Sequence, residues 1–173
     1  MISEIRPIRT RRCRIAALRA EDARAVQAIT DASVTARVHF LPEPFTLADA
    51  EALIAGGEAG QEFLGVWERE GAALLGVIGV HPNAGYEIEM GYWFAAAARG
   101  RGLAGEAVEA VIAALADVAP ARRIVAECLR ENRPSWKLLE RVGFSATGRK
   151  GARPGRELLA WRAPAGGVRF DVC

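Results

Sequence analysis

Glu87-Ile88-Glu89-Met90-Gly91-Tyr92-Trp93-Phe94, and after it Gly100-Arg101-Gly102-Leu103-Ala104-Gly105, is the stretch whose reading decides the fold. The first segment alternates as a strand does, with Glu87, Glu89, Gly91 and Trp93 on one face and Ile88, Met90, Tyr92 and Phe94 on the other. The second opens a helical pattern. Leu103, Ala107, Val111 and Leu115 recur at intervals of four, widened by Val108 and Ile112, so an amphipathic helix of about four turns is predicted over Gly102–Ala116. A strand-to-helix turn leaves backbone N–H groups unpaired at the positive end of the helix dipole, which favours an anion. Glycines let that backbone approach phosphate oxygens closely, and Arg99 and Arg101 add positive charge. A pyrophosphate is the natural guest; a glycine-rich turn with no ligand is the plain alternative.

The flanking sequence continues the pattern. Upstream, Arg14–Leu18 reads as a strand, Ala23–Ala32 as a helix behind acidic Glu21-Asp22, and Val34–Phe45 as a loop broken by Pro42 and Pro44. Thr46 can cap a second helix, with Asp49 completing a capping box and Gly56-Gly57 as the stop. Glu62–Arg69 and Ala73–His81 form a hairpin about Glu70-Gly71, and Pro82–Gly85 turns the chain into the strand Tyr86–Phe94. Downstream, Arg123–Leu129 is a strand and Asn132-Arg133-Pro134 opens a helix closed at Gly143. Phe144–Gly148 and Glu157–Arg162 make a last hairpin, and 163–173 is expected to be a loose tail. The order predicts one mixed α/β domain over 1–173, with its core over about 12–162. Its sheet is expected to be mostly antiparallel, with one parallel crossover between Tyr86–Phe94 and Arg123–Leu129.

Composition narrows the function. The 173 residues carry 23 basic and 21 acidic side chains for a net charge of +2, spread along the chain, which argues against a disordered tail, a polybasic membrane anchor or an electrostatic nucleic-acid binder. Cys13, Cys128 and Cys173 are odd in number and far apart, and His39 and His81 are the two histidines. Neither a zinc site nor a disulfide framework fits that inventory. No apolar leader or membrane-length run stands out, so a soluble, cytoplasmic protein without metal is expected. The two histidines sit in or beside loops and receive no role.

Gly100, Gly102 and Gly105 also satisfy the Gly-x-Gly-x-x-Gly dinucleotide fingerprint, with Glu127 near the place of a ribose-binding acid. Against that reading, five residues (Ala95–Arg99) part the strand from the first glycine, the preceding strands form hairpins, and too little chain follows Glu127 for a second βαβ half.

Arg99-x-x-Gly102-x-Ala104 resembles the acetyl-CoA signature of the GCN5-related N-acetyltransferases (GNAT). Ile88–Phe94 with Gly100–Ala107 is similar to the strand, turn and helix of the ribosomal-protein-alanine N-acetyltransferase branch. Asn132-Arg133-Pro134-Ser135 through Glu140-Arg141-Val142-Gly143-Phe144 resembles that branch's later helix. The resemblance implies a GNAT-like fold: about six to seven strands with a parallel, splayed pair that admits the cofactor, and about four helices. It implies acetyl-CoA as acetyl donor, held by Trp93, Phe94, Arg99, Gly100, Arg101, Gly102, Leu103, Ala104, Gly105 and Asn132, with Arg130 and Arg133 as candidates for the nucleotide end. Glu89 is the implied base, acting directly or through water. Ser135 matches the position that meets the leaving thiolate, where a serine hydroxyl is better suited to hydrogen bonding than to acid catalysis. Each has a plainer role: Glu89 as a solvated strand carboxylate, Ser135 bonding its own backbone, Asn132 as a helix cap.

The expected activity is acetyl-CoA-dependent N-acetylation of a primary amine by direct attack on the thioester. The acceptor is a protein N-terminal α-amine or a small amine metabolite, chosen by Glu21–Gly57 and the last hairpin. A non-catalytic acyl-CoA-binding module on the same fold is the alternative, with a dinucleotide-binding protein behind it. No nucleic-acid or membrane partner is expected, and both monomer and homodimer stay open.

Overall fold

The structure, a computed structural model, describes residues 5–56, 62–83 and 85–163. The first half comprises β1 (Ile8–Arg9), β2 (Cys13–Ala17), α1 (Ala23–Ile29), α2 (Ala32–Thr35), α3 (Leu47–Ile54), β3 (Glu62–Glu68) and β4 (Leu74–Asn83). The second comprises β5 (Glu87–Phe94), α4 (Leu103–Val118), β6 (Arg123–Leu129), α5 (Arg133–Arg141), β7 (Phe144–Lys150) and β8 (Arg156–Trp161). One eight-stranded sheet runs β1-β2-β3-β4-β5-β6-β8-β7. Every pairing is antiparallel except β5 with β6.

Alternation along β5 divides the core between the two faces of the sheet. Ile88, Met90 and Phe94 pack with Leu103, Val111 and Leu115 of α4 and Leu139 of α5. Trp93 faces the other way, into the cluster of Val26, Ala50, Leu53, Phe63 and Val77. The β4–β5 register is continuous from Gly76↔Phe94 to Asn83↔Glu87, so no bulge disturbs that phase. Helix α4 follows its predicted stripe, with Leu103, Ala107, Val108, Val111, Ile112 and Leu115 buried. Thr46 caps α3, and Asp49 completes the box.

Three features depart from the expectations. β1 adds a strand that two residues are too short to announce by period, which brings the sheet to eight strands. The loop expected over 34–45 begins inside a fifth helix, α2, whose N-cap Asp31 accepts a hydrogen bond from the Ser33 N–H at 2.9 Å. Pro82 lies within β4, opposite Ile88, and the turn expected there falls at Gly85-Tyr86, both at positive φ. Among the described residues β3 pairs β4 only as far as Val80, and the missing Pro82 N–H points to that side, away from β5. Gly57, and the tail from residue 164 on, lie outside the described residues. No helix among those described is long and apolar enough to cross a membrane.

Helix α5, which carries much of the site, stops where predicted. Gly143 has φ +100°, its N–H bonds the Glu140 carbonyl at 3.1 Å, and an added Cβ would lie 3.1 Å from Trp161 Nε1. Gly143→Ala is expected to destabilise the domain by about 1–3 kcal/mol, read as a lower urea midpoint at unchanged m-value.

Candidate active site

The parallel pair decides the site. β5 and β6 pair only over Glu87↔Arg123, Ile88↔Ile124 and Glu89↔Val125, and then part. The Arg123 N–H bonds the Tyr86 carbonyl, so even-numbered residues of β5 turn their N–H and C=O groups toward β6. The Glu89↔Val125 pairing still engages the Met90 N–H; beyond it, the Met90 carbonyl and the N–H and C=O of Tyr92 are aimed into the gap. The gap belongs to a cleft of about 680 Å³ that passes between the strands and reaches both faces of the sheet.

On the α4 side the cleft ends at the glycine turn. Gly100 and Gly102 have φ +72° and +75°, and Gly102 is the left-handed N-cap of α4. The N–H groups of residues 100–105 make no hydrogen bond among the described residues; the first helical bond is Glu106 N–H to the Gly102 carbonyl at 3.2 Å. Six donors thus stay unpaired at the N-terminal end of α4, a position that favours an anion. Arg99 lines the cleft while its Nε holds the Phe94 carbonyl at 3.0 Å. Arg141 of α5 lays its guanidinium over Gly105, where an added Cβ would meet NH2 at 2.7 Å.

The turn is braced from behind by the link between β1 and β2. Glu106 accepts from the Thr10 hydroxyl at 2.5 Å, and from the Arg12 N–H and Nε at 2.7 Å each. Arg12 then donates to the Arg101 carbonyl at 2.8 Å. Burial works against the Glu106 charge, but the Thr10 and Arg12 bonds outweigh it and hold the carboxyl below its usual range.

Where the strands part, Tyr92 Oη and Ser135 Oγ lie 2.9 Å apart. Burial pushes the Tyr92 phenol above its ordinary value, against the lowering effect of the Ser135 bond. A phenol held protonated can donate to Ser135, which leaves the serine proton free for another acceptor. Cys128, a buried free thiol, also lines this part of the cleft.

The opposite end is built from α2 and its following loop, from β4 and β5, and from the β7–β8 loop. Arg153 organises it. Its NH1 meets Glu89 Oε1 at 2.5 Å and Glu127 Oε2 at 2.9 Å, and its Nε donates to His39 Nε2 at 2.8 Å. Burial first, then Arg153 and Arg156, lower the His39 pKa, in keeping with a neutral ring that accepts. Glu127 is also bonded by the Ala152 N–H at 2.5 Å, so its carboxylate fastens the β7–β8 loop. Glu89 Oε2 accepts from Asn83 at 3.3 Å. Phe40, Phe63, Trp93 and His81 wall this end with rings.

Of the residues singled out in the sequence, Glu89, Trp93, Phe94, Arg99, Gly100, Gly102, Ala104, Gly105, Asn132 and Ser135 line the one cleft. Trp93 does so from the acceptor side, with its indole N–H on the Thr30 hydroxyl. Arg101 and Leu103 do not line it: Arg101 borders a separate depression beside Arg12 and Arg69, and the Leu103 side chain is core. Asn132 caps α5 without a side-chain bond. Arg130 pairs with Glu157 and lies over Trp136, and Arg133 is exposed away from the cleft. Glu87 pairs with Arg123. Sequence reasoning missed Lys137 and Arg141, although their four-residue spacing put both on one face of α5, and it missed His39, His81 and Arg153, which only the fold gathers.

The cleft thus lies between splayed parallel strands and ends at a glycine turn at a helix N-terminus. The acetyltransferase (GNAT) domain family matches residues 12–145, and the chain belongs to that family of acetyltransferases. A GNAT-family acetyltransferase from Bacillus anthracis is similar in structure, with a TM-score of 0.76 at 24% identity over 90% of this chain and 97% of that one. A ribosomal L7/L12 alpha-N-protein acetyltransferase in complex with coenzyme A has a TM-score of 0.76 at 17% identity, over 90% and 97%. The ribosomal-protein-S5-alanine acetyltransferase from Vibrio fischeri has a TM-score of 0.74 at 14% identity, over 90% and 94%. No curated protein matches the chain.

The Glu106 brace gives a pH-dependent stability. A carboxyl lowered by folding contributes above its unfolded value, about 4.3, and that contribution is lost as pH falls through the lower folded value. Glu106→Gln is expected to destabilise the protein by about 1–3 kcal/mol at pH 7. In paired urea titrations the gap between wild type and variant is expected to narrow below about pH 4.

Proposed function

We propose that this acetyltransferase moves an acetyl group from acetyl-CoA to a primary amine, with the pyrophosphate on the turn Arg99–Gly105 and the amine at the Glu89 end of the cleft. The observation that carries the reading is that the unpaired N–H groups of Gly100, Gly102, Ala104 and Gly105, the open β5 edge and an ionisable cluster lie along one continuous cleft. Those four residues hold phosphate oxygens through backbone N–H groups, and Arg99 and Arg141 neutralise them. The open Met90 carbonyl and the open N–H and C=O of Tyr92 pair with the pantetheine amides as a further strand would, and Asn132 serves the same arm. Acetyl-CoA supplies an electrophilic acyl carbon and a thiolate leaving group. Ser135, with Tyr92 donating to it, turns its hydroxyl to the sulfur, where charge develops as the carbon–sulfur bond breaks. Glu89 provides the negative charge toward which the amine loses its proton, directly or through a neighbour.

The acceptor we infer is a protein N-terminal α-amine or a small amine. The resemblance to the ribosomal-protein branch and the likeness to acetyltransferases named for ribosomal proteins support it. Support for a cytoplasmic setting comes from the unpaired Cys13 and Cys128. The deciding assay follows free-thiol release from acetyl-CoA with a panel of N-terminal peptides and free amines; no release with any of them overturns the reading.

Gly102→Asp puts a carboxylate, and a side chain at φ +75°, where phosphate is to sit. It is expected to abolish coenzyme A binding by calorimetry in a protein that stays folded. Glu89→Gln is expected to lower turnover by about 100-fold or more at nearly unchanged acetyl-CoA affinity. Ser135→Ala is expected to cost less, because water can also protonate a thiolate of modest basicity.

A further inference from the structure

Glu89, the carboxylate nearest the acceptor end, is already engaged: Oε1 on Arg153 and Oε2 on Asn83. To take a proton itself it would have to leave the ion pair that fastens the β7–β8 loop. The residue directly across the ladder from it, His81, is not so committed. His81 pairs with Glu89 in the β4–β5 register, and two positions on, Gly79 faces Gly91. With no side chain at either glycine, the imidazole leans back along the strand and lies over Gly79. An added Cβ at Gly79 would meet Nε2 at 2.7 Å and Cε1 at 3.0 Å, whereas at Gly91 it would meet nothing within 4 Å. Phe63 holds the ring edge-on, with centroids 5.3 Å apart. The side chain lines the cleft, and Nδ1 is buried without a hydrogen-bond partner among the described residues. With Nδ1 buried, Nε2, which lies over Gly79 and makes no hydrogen bond among the described residues, is the ring nitrogen left to take a proton in the cleft.

We propose that His81 is the immediate proton acceptor for the substrate amine, with Glu89 as the positioning charge behind it; the proposal rests on the acetyl-transfer reading above. The substrate ammonium gives its proton to His81 at Nε2 and becomes the neutral amine, and its lone pair forms the carbon–nitrogen bond. The carbon–sulfur bond breaks and its electron pair leaves with sulfur. The second proton lost by nitrogen balances the thiolate, as free thiol, and the proton on His81 returns to solvent. The open space at Gly91, beside the unpaired β5 edge, is where the amine reaches an acyl group held in the gap.

The electrostatics agree with this geometry. Burial pushes the His81 imidazole below the ordinary histidine value, so it is a neutral base at pH 7. The charged groups facing it are Glu89 on β5, which favours the imidazolium, and Arg153 from the β7–β8 loop, which opposes it; the Val80 backbone also favours protonation. β3 presents the Phe63 ring. Glu89 thereby stabilises the charge that His81 acquires during the reaction.

The test combines kinetics with a titration of the intact protein. His81→Gln is expected to lower kcat/KM for a strongly basic amine by about 100-fold or more, with acetyl-CoA affinity held within about twofold. The loss is expected to be much smaller for an amine already neutral at assay pH. By NMR, the wild-type His81 ring is expected to titrate below about 6.5, lower still in Glu89→Gln and higher in Arg153→Met. A folded His81→Gln protein that keeps at least a third of wild-type kcat/KM with the basic amine overturns the proposal. So does a His81 ring that titrates at or above the ordinary value and ignores Glu89→Gln, an outcome that does not depend on the variant folding. A wild-type protein that releases no thiol with any amine instead overturns the acetyl-transfer reading, and the two failures are distinct.

Discussion

The parting of β5 from β6 after Glu89 and Val125 is the constraint on which the rest of the molecule depends. Sheets rarely leave central strands unpaired, because buried N–H and C=O groups need partners. Here the cost is contained by what surrounds the gap. β6 is paired on its far side by β8 from Val125 to Leu129, β5 is paired by β4 along its whole length, and α4 and α5 pack beneath both strands. The two strands are therefore fixed from outside while their facing edges stay open. A guest that carries amides satisfies the groups the fold leaves free.

That opening lets one strand serve two chemistries. Even-numbered positions of β5 turn Met90, Tyr92 and Phe94 toward α4, where Tyr92 meets Ser135. Odd-numbered positions turn Glu89, Gly91 and Trp93 toward the acceptor end. In the proposed reaction donor and acceptor would thus approach from opposite faces of the sheet and meet where it is split, with the Glu89 and Arg153 cluster apart from the glycine turn. The cross-strand glycines Gly79 and Gly91 remove the side chains that would block the meeting point.

Much of this was legible in the sequence for physical reasons. Long periodic segments declare themselves: the α4 stripe, the β5 alternation and the strand Arg123–Leu129 appear where their patterns put them. The glycine turn was legible because positive φ is cheap only for glycine and Gly100 and Gly102 both adopt it. Elements too short for a period, β1 and α2, were not. The splay was implied by family resemblance, since a strand paired for three residues and then open has the same alternating sequence as one paired throughout.

By itself, the sequence determined the order of elements, the faces of β5 and the glycine turn that opens α4, and it singled out Glu89 and Ser135, which line one cleft. Only the tertiary structure decided what those residues do, because partners such as Arg153, His39 and Arg141 reach the site from distant segments. Glu89, read as a base or a solvated strand carboxylate, is bridged to Arg153; His81, read at a strand end beside a loop and given no role, lies over a glycine. A side chain's basicity and reach are set by what touches it. Those contacts are made by packing between segments up to 119 residues apart, a distance across which neither period nor spacing carries a signal.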